Sequence, residues 1–209
     1  MTASASEVTA PARRIGIMGG TFDPLHNGHL ACATAAREVL DLDEVIFIPC
    51  GVPSFKQETV NASAADRLAM TRLGVEDEPT FSVDALEVER PGTTYTVDTL
   101  RALHERYPDA ELVFITGADA ARTLPIWYQA DELARLARFA VVARDGDGLS
   151  ADEQRKLADT GFTVILLNDV RTGDVSSHEI RRLVQEGKPI GTLVPEAIER
   201  YIIDNELYR

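Results

Sequence analysis

The stretch "RRIGIMGGTFDPLHNGHLACATAAREVL" (residues 13–40) changes period halfway along. "RRIGIM" (13–18) is a short apolar run ending in glycines, the pattern of a buried strand. "HNGHLACATAAREVLDL" (26–42) is rich in Ala and Leu at helical spacing, and predicts a helix beginning near Asn27 or Gly28. Between the two lies a turn carrying Gly19 and Gly20.

The rest of the chain repeats this alternation. "EVIFIPC" (44–50), "ELVFITG" (111–117), "FAVVAR" (139–144) and "FTVILLN" (162–168) read as buried strands, and "FSVDALEVE" (81–89) alternates like a further strand. Helical patterns stand at 63–75, opened by a Ser63-x-x-Asp66 capping box, and at 96–108, 130–137, 176–187 and 194–207. "ARDGDGLSADEQRK" (143–156) reads as a surface excursion. Continuous apolar strands separated by helices predict an α/β fold: a Rossmann-like, doubly wound parallel sheet with helices on both faces. Residues 14–209 form one expected domain, preceded by an extension (1–13) expected to be disordered. In such sheets ligands sit at the carboxyl ends of the strands, near the switch in strand order.

Composition narrows the classes. No apolar run approaches the ~20 residues of a membrane span, and the polar N-terminus lacks an apolar signal core, so a cytoplasmic location is expected. Cys32 and Cys50 suit a reducing compartment, and no Cys-x-x-Cys occurs. The formal net charge of −13, without a basic stripe, argues against a nucleic-acid partner. An anionic ligand would have to be held by a few local cations and backbone N–H groups against an unfavourable field.

The turn after the first strand supplies such groups. Gly19 and Gly20 let the backbone approach a ligand closely. The following helix directs unpaired N–H groups and its positive dipole end at the same place. The glycines fit neither G-x-G-x-x-G nor G-x-x-x-x-G-K-[ST]. His26 and His29, two of the chain's four histidines, share one face of the first helical turn. A metal would need further ligands; His104 sits on a helix that reads as structural, His178 at a helix start, and no H-E-x-x-H occurs. Structural turn histidines are the plainer alternative, and phosphate contact fits the surroundings best.

"GGTFDPLHNGH" (19–29) resembles the signature of the HxGH nucleotidyltransferases, with His26-x-Gly28-His29 as its core, and "VSSHEIR" (175–181) resembles their second signature. "TYTVDTL" (94–100), "ITGADAARTLPIW" (115–127) and "VVAR" (141–144) are similar to the bacterial nicotinate-nucleotide adenylyltransferases. The resemblance covers nearly the whole chain from Arg14 on. It implies a Rossmann-like fold and the reaction of nicotinate mononucleotide with ATP, giving nicotinate adenine dinucleotide and pyrophosphate.

Residue by residue, the resemblance places Gly19, Gly20, Thr21, Phe22, His26, His29, Gly117, Asp119, Ser176, Ser177 and Arg181 at ATP, and Lys56, Thr96, Trp127, Tyr128 and Arg144 at the acceptor. His26, His29, Arg181 and Lys56 carry the catalytic roles. Each has a plainer alternative. Ser176 with Glu179 is also an ordinary capping box, Lys56 and Arg144 solvated side chains, Thr96 a helix start, and Trp127 a core residue. A loop Trp beside Tyr128 is nonetheless a natural stacking face for an electron-poor pyridine ring. The chain departs from the family's usual pattern at Phe55, where His is expected, and at His178, where Thr is expected.

A phosphate monoester is an adequate nucleophile, so in-line attack on the α-phosphate of ATP needs no covalent enzyme residue. Mg²⁺ is expected as cofactor, held by phosphates and water, with no protein side chain as ligand. ATP and nicotinate mononucleotide are the expected partners, and a homo-oligomer stays open. The competing readings are a phosphopantetheine or other adenylyl- or cytidylyltransferase of the same superfamily, and a nucleotide-binding regulator without turnover. An NAD-dependent oxidoreductase is disfavoured by the missing G-x-G-x-x-G.

Overall fold

Successive residues of a strand point to opposite faces of its sheet, and here both sets are buried. Ile15 and Ile17 enter one apolar cluster with Ile46, Ile48, Leu112, Phe114, Phe139 and Val141, while Val45, Phe47, Val113, Ile115, Ala140 and Val142 enter another. Each large side chain buried in this way contributes ~1.5–3 kcal/mol.

The computed structural model describes residues 12–53, 60–143, 148–168, 170, 173 and 175–209. Along it run β1 (Arg14–Gly20), α1 (Asn27–Leu40), β2 (Glu44–Pro49), β3 (Val52–Pro53), α2 (Ala64–Val75), β4 (Phe81–Val83), α3 (Leu86–Glu89) and β5 (Thr93–Thr94). Next come α4 (Thr96–Arg106), β6 (Glu111–Gly117), α5 (Ala118–Ala121), a 3-10 turn (Leu124–Ile126), α6 (Ala130–Leu136), β7 (Arg138–Val142), α7 (Ala151–Asp159), β8 (Val164–Leu167), α8 (Ser177–Gln185) and α9 (Glu196–Asp204).

Six strands pair in the order β4-β2-β1-β6-β7-β8, all parallel. Helices α1, α2, α8 and α9 contribute to one cluster, and α4, α5, α6 and α7 to the other, so the expected doubly wound α/β sheet is observed. The chain winds outward from β1 in one direction, then restarts at β6 on its other side. The switch point therefore lies between β1 and β6, where the chain leaves the sheet after Gly20; Gly19 and Gly20, read as a turn, are the last two residues of β1, paired with Ile48 and Pro49 of β2.

Three readings need correction. Only Phe81–Val83 of the stretch 81–89 is strand, and Leu86–Glu89 is helical. The alternation deceived because a one-turn helix is too short to show its own period. The 143–156 excursion contains the start of α7, where Ser150 Oγ accepts from Glu153 N and the Glu153 side chain accepts from Ser150 N. That reciprocal cap was present in the sequence. Finally, the Ser176–Glu179 box is half made: Ser176 Oγ accepts from Glu179 N at 3.2 Å, but the Glu179 carboxylate pairs with Arg182. A short parallel pair, β3 with β5, was not foreseen. Of the segment 1–13, residues 1–11 lie outside the described residues; the Arg13 carbonyl accepts from Glu111 N at 2.8 Å, at the starts of the central strands β1 and β6.

Candidate active site

α1 begins at Asn27 with His26 as its N-cap. The His26 N–H donates to His29 Nδ1 at 3.3 Å, and the two imidazoles stack with centroids 3.7 Å apart and planes 25° from parallel. Because Nδ1 of His29 accepts, its neutral ring carries the proton on Nε2. His26 is buried and His29 half-buried. Phe22, at φ +49°, is buried with its ring edge-on to His29 at 5.1 Å and beside Phe47; its side chain supports the histidine from behind.

Two glycines of the signature make this packing possible. A Cβ on Gly28 would stand 2.8 Å from Val175 Cγ1 and 3.1 Å from His26 Nδ1. A Cβ on Gly20 would stand 2.8 Å from the Phe22 ring.

The second signature docks on the first. Ser177 Oγ donates to the Pro24 carbonyl at 3.0 Å, and Arg181 Nη1 to the Asp23 carbonyl at 2.8 Å. Asp23, 3% exposed, is the hub beneath them. Its carboxylate accepts from Asn61 N (2.7 Å), Ala62 N (3.0 Å) and Tyr208 OH (2.8 Å), and lies 3.8 Å from Arg181. Burial and then the Asp23 charge push the Tyr208 phenol upward, so it remains a hydrogen-bond donor. Arg181 and Ser177 are thus held at the Asp23–Pro24 turn, immediately before the histidines.

On the other side of the Gly19–Thr21 segment opens a cavity of about 540 Å³. Gly19, Gly20, Thr21, Thr96, Asp119, Trp127 and Tyr128 line it, as do Ile17, Ile48 and Phe114. The indole of Trp127 is fixed by its Nε1–H donating to Thr123 Oγ1 at 2.9 Å and by edge contact with Phe114 at 6.2 Å. Tyr128 packs on Tyr95 with centroids 4.6 Å apart. Asp119, at the rim, is ion-paired with Arg122. Gly117 caps α5 outside the cavity lining. Lys56 and Phe55, and likewise Arg144, lie outside the described residues. His178 is exposed on the first turn of α8.

Sequence reasoning missed four residues that build the site. Asp23 is one. Arg67, 1% exposed, donates from Nη1 to the Thr21 carbonyl at 2.7 Å and from Nη2 to the Gly51 carbonyl at 2.9 Å, joining the turns that follow β1 and β2. Cys50, 3.6 Å from the same guanidinium, lines the cavity, and burial pushes its thiol up. Glu87 also lines the cavity, is 8% exposed, and is likewise pushed up by burial. Helix position showed none of this, since every partner is remote in sequence.

A family model described as cytidylyltransferase-like matches residues 17–183. A protein of Synechococcus sp. (strain JA-3-3Ab), bearing the name "Probable nicotinate-nucleotide adenylyltransferase", is 44% identical over 196 residues, covering 94% of this chain and 95% of its own. A Desulfitobacterium hafniense protein (strain Y51) of the same name is 46% identical over 204 residues, covering 97% of this chain and 99% of its own. Among solved structures, Plasmodium falciparum nicotinic acid mononucleotide adenylyltransferase complexed with NaAD gives a TM-score of 0.78 at 19% identity, covering 94% of this chain and 97% of that one. At that identity the likeness is one of fold.

Proposed function

This chain belongs to the cytidylyltransferase-like family and, within it, to the nicotinate-nucleotide adenylyltransferases; from that membership we infer that it transfers the adenylyl group of ATP to nicotinate mononucleotide, releasing pyrophosphate and forming nicotinate adenine dinucleotide in NAD biosynthesis. The observation that carries this reading is the contiguity of its two halves. One segment, Gly19–Thr21, lines the aromatic cavity and leads through the Asp23–Pro24 turn, where Arg181 is held, into the His26–His29 pair.

ATP is read onto the histidine side. His29 donates from Nε2, the α1 N-terminus supplies backbone N–H groups, and Arg181 adds a fixed positive charge. The acceptor is read into the cavity, its pyridine ring on Trp127, its carboxylate at backbone N–H groups near Tyr128, and Thr96 alongside. Lys56 and Arg144 complete the set as proposals from the family pattern. An oxygen of the acceptor's 5′-phosphate attacks the α-phosphorus in line; that O–P bond forms as the bond from the α-phosphorus to pyrophosphate breaks. Negative charge grows on the leaving group, where fixed donors act without reorganisation. The enzyme need supply no nucleophile of its own.

Among the described residues no group of three His, Cys, Asp or Glu side chains converges to hold a metal; we propose that Mg²⁺ arrives with ATP on phosphate oxygens and water. The reading takes residues 14–209 as one catalytic domain and the cytoplasm as its location. No described helix is long and apolar enough to cross a membrane.

The test is pyrophosphate release with ATP and a panel of acceptors: nicotinate mononucleotide, nicotinamide mononucleotide and phosphopantetheine. Nicotinate mononucleotide is expected to give the highest kcat/KM. A preference for phosphopantetheine would reassign the cavity, and no release with any acceptor would leave a binding module.

A further inference from the structure

β1 and β2 stay paired as far as the Gly20 carbonyl, which accepts from Cys50 N at 2.8 Å. One residue further along each chain segment, the carbonyls of Thr21 and Gly51 turn to a single side chain. Arg67, 1% exposed, donates from Nη1 to Thr21 at 2.7 Å and from Nη2 to Gly51 at 2.9 Å. Two neighbouring acceptors need two donors, and a guanidinium fork carries them at a fixed spacing.

Both ends of this bridge are anchored. On α2, Ser63 Oγ accepts from Asp66 N at 3.1 Å and the Ser63 carbonyl from Arg67 N at 3.0 Å, while Asn61 and Ala62, just before that cap, donate to the Asp23 carboxylate. Gly51 is backed by α3, since a Cβ on it would stand 2.2 Å from the Glu87 carbonyl oxygen. Between Thr21 and Asp23 stands Phe22 at φ +49°, a backbone region costly for an aromatic residue and kept only where its surroundings enforce it. Two arginines enforce it here. Arg67 holds the Thr21 carbonyl, in the peptide unit preceding Phe22, and Arg181 holds the Asp23 carbonyl at 2.8 Å. The ring directed in this way meets His29 edge-on at 5.1 Å.

We propose that Arg67 is a positioning residue for adenylyl transfer: by bridging Thr21 and Gly51 it holds Phe22 against His29 and so aims the histidine donor. Arg67 stands outside the cavity lining, whereas Thr21 and Cys50 beside it belong to that lining. It therefore acts through its neighbours and not on a nucleotide.

This inference rests on the adenylyltransferase reading, and one arm of its test needs no turnover. Arg67→Lys keeps the buried charge but cannot bridge both carbonyls. Its kcat is expected to fall about 10²-fold, as a small misplacement of a donor does, with the KM for ATP little changed. In proton NMR of the free enzyme, the His29 ring C–H signals, assigned by their loss in His29→Ala, are expected to move because the Phe22 ring shifts against them. Those of His104, whose Nε2 lies 2.6 Å from the Leu136 carbonyl, are expected to stay. Phe22→Leu also lowers kcat, and adding Arg67→Lys to it costs little more, because both changes act through one contact. Native kcat and native His29 signals in Arg67→Lys, whatever its melting temperature, make Arg67 a structural bridge only and overturn the proposal. Additive losses of kcat in the double variant overturn it as well. So does native kcat in Phe22→Leu, which tests the link even where the Arg67 variant fails to fold. A native enzyme that releases no pyrophosphate overturns the transferase reading instead, and the His29 signals still decide whether Arg67 holds Phe22 in place.

Discussion

The imidazole of His29 lies face to face with that of His26, centroids 3.7 Å apart, and takes a hydrogen bond on Nδ1 from the His26 backbone. The second residue is thus a device for aiming the first. It fixes the tautomer that points Nε2–H outward, and it keeps the donor in place without requiring an imidazolium. His29→Ala is expected to lower kcat by about 10²–10³ with much smaller changes in either KM, the signature of a contact made mainly in the transition state. Steady-state kinetics checks it; near-normal turnover would remove His29 from the chemistry.

Gly28 is where the two signatures press closest. In Gly28→Ala the new methyl must displace Val175 or the His26 ring. A loss of about 1–3 kcal/mol in stability follows from overpacking, together with a fall in kcat because His26 orients His29. Thermal melting and kcat measured on the same preparation test the pairing. A variant with native stability and native kcat would show that the contact relaxes freely.

Asp23 anchors Arg181, Tyr208 and the backbone at 61–62. Asp23→Ala removes the acceptor of the Tyr208 hydroxyl and of the Asn61 and Ala62 N–H groups and the charge facing Arg181, whose bond to the residue 23 carbonyl remains; it is expected to cost about 3–5 kcal/mol in urea unfolding. Asp23→Asn, which keeps one acceptor oxygen, is expected to lose less. Equal stability of all three proteins would contradict the hub.

Glu87 adds a pH dependence of stability. Its folded pKa lies above the unfolded one because burial disfavours its charge. Between the two values the folded state binds more protons, so this contribution is full at acidic pH and is lost as pH rises through the folded value. Native stability relative to Glu87→Gln should therefore decline toward alkaline pH in paired unfolding curves. A difference independent of pH would show that Glu87 ionises normally.

Much of this was legible in the chain. Ile15, Ile17, Val45 and Phe47 declared a sheet covered on both faces by being apolar without alternation, and Gly28 between two histidines marked the turn. Trp127 and Tyr128 could be placed at a pocket because they follow a strand end. What could not be read were the partners made by folding. Nothing near Asp23 in sequence announces Tyr208, 185 positions away, and Arg67 reads as one helix arginine among others until Thr21 and Gly51 meet it. Glu87 was hidden for a local reason: its alternating neighbours Leu86 and Val88 mimic a strand, and the short α3 carries no periodic signal of its own.

The central claim is direct transfer between two bound nucleotides, without a covalent adenylyl-enzyme. Its most direct test uses ATP made chiral at the α-phosphorus by sulfur substitution, with nicotinate mononucleotide as acceptor, and reads the configuration of the dinucleotide formed. A single in-line displacement predicts a nicotinate dinucleotide with inverted configuration. Retention of configuration, or formation of no dinucleotide from this acceptor, would contradict the account.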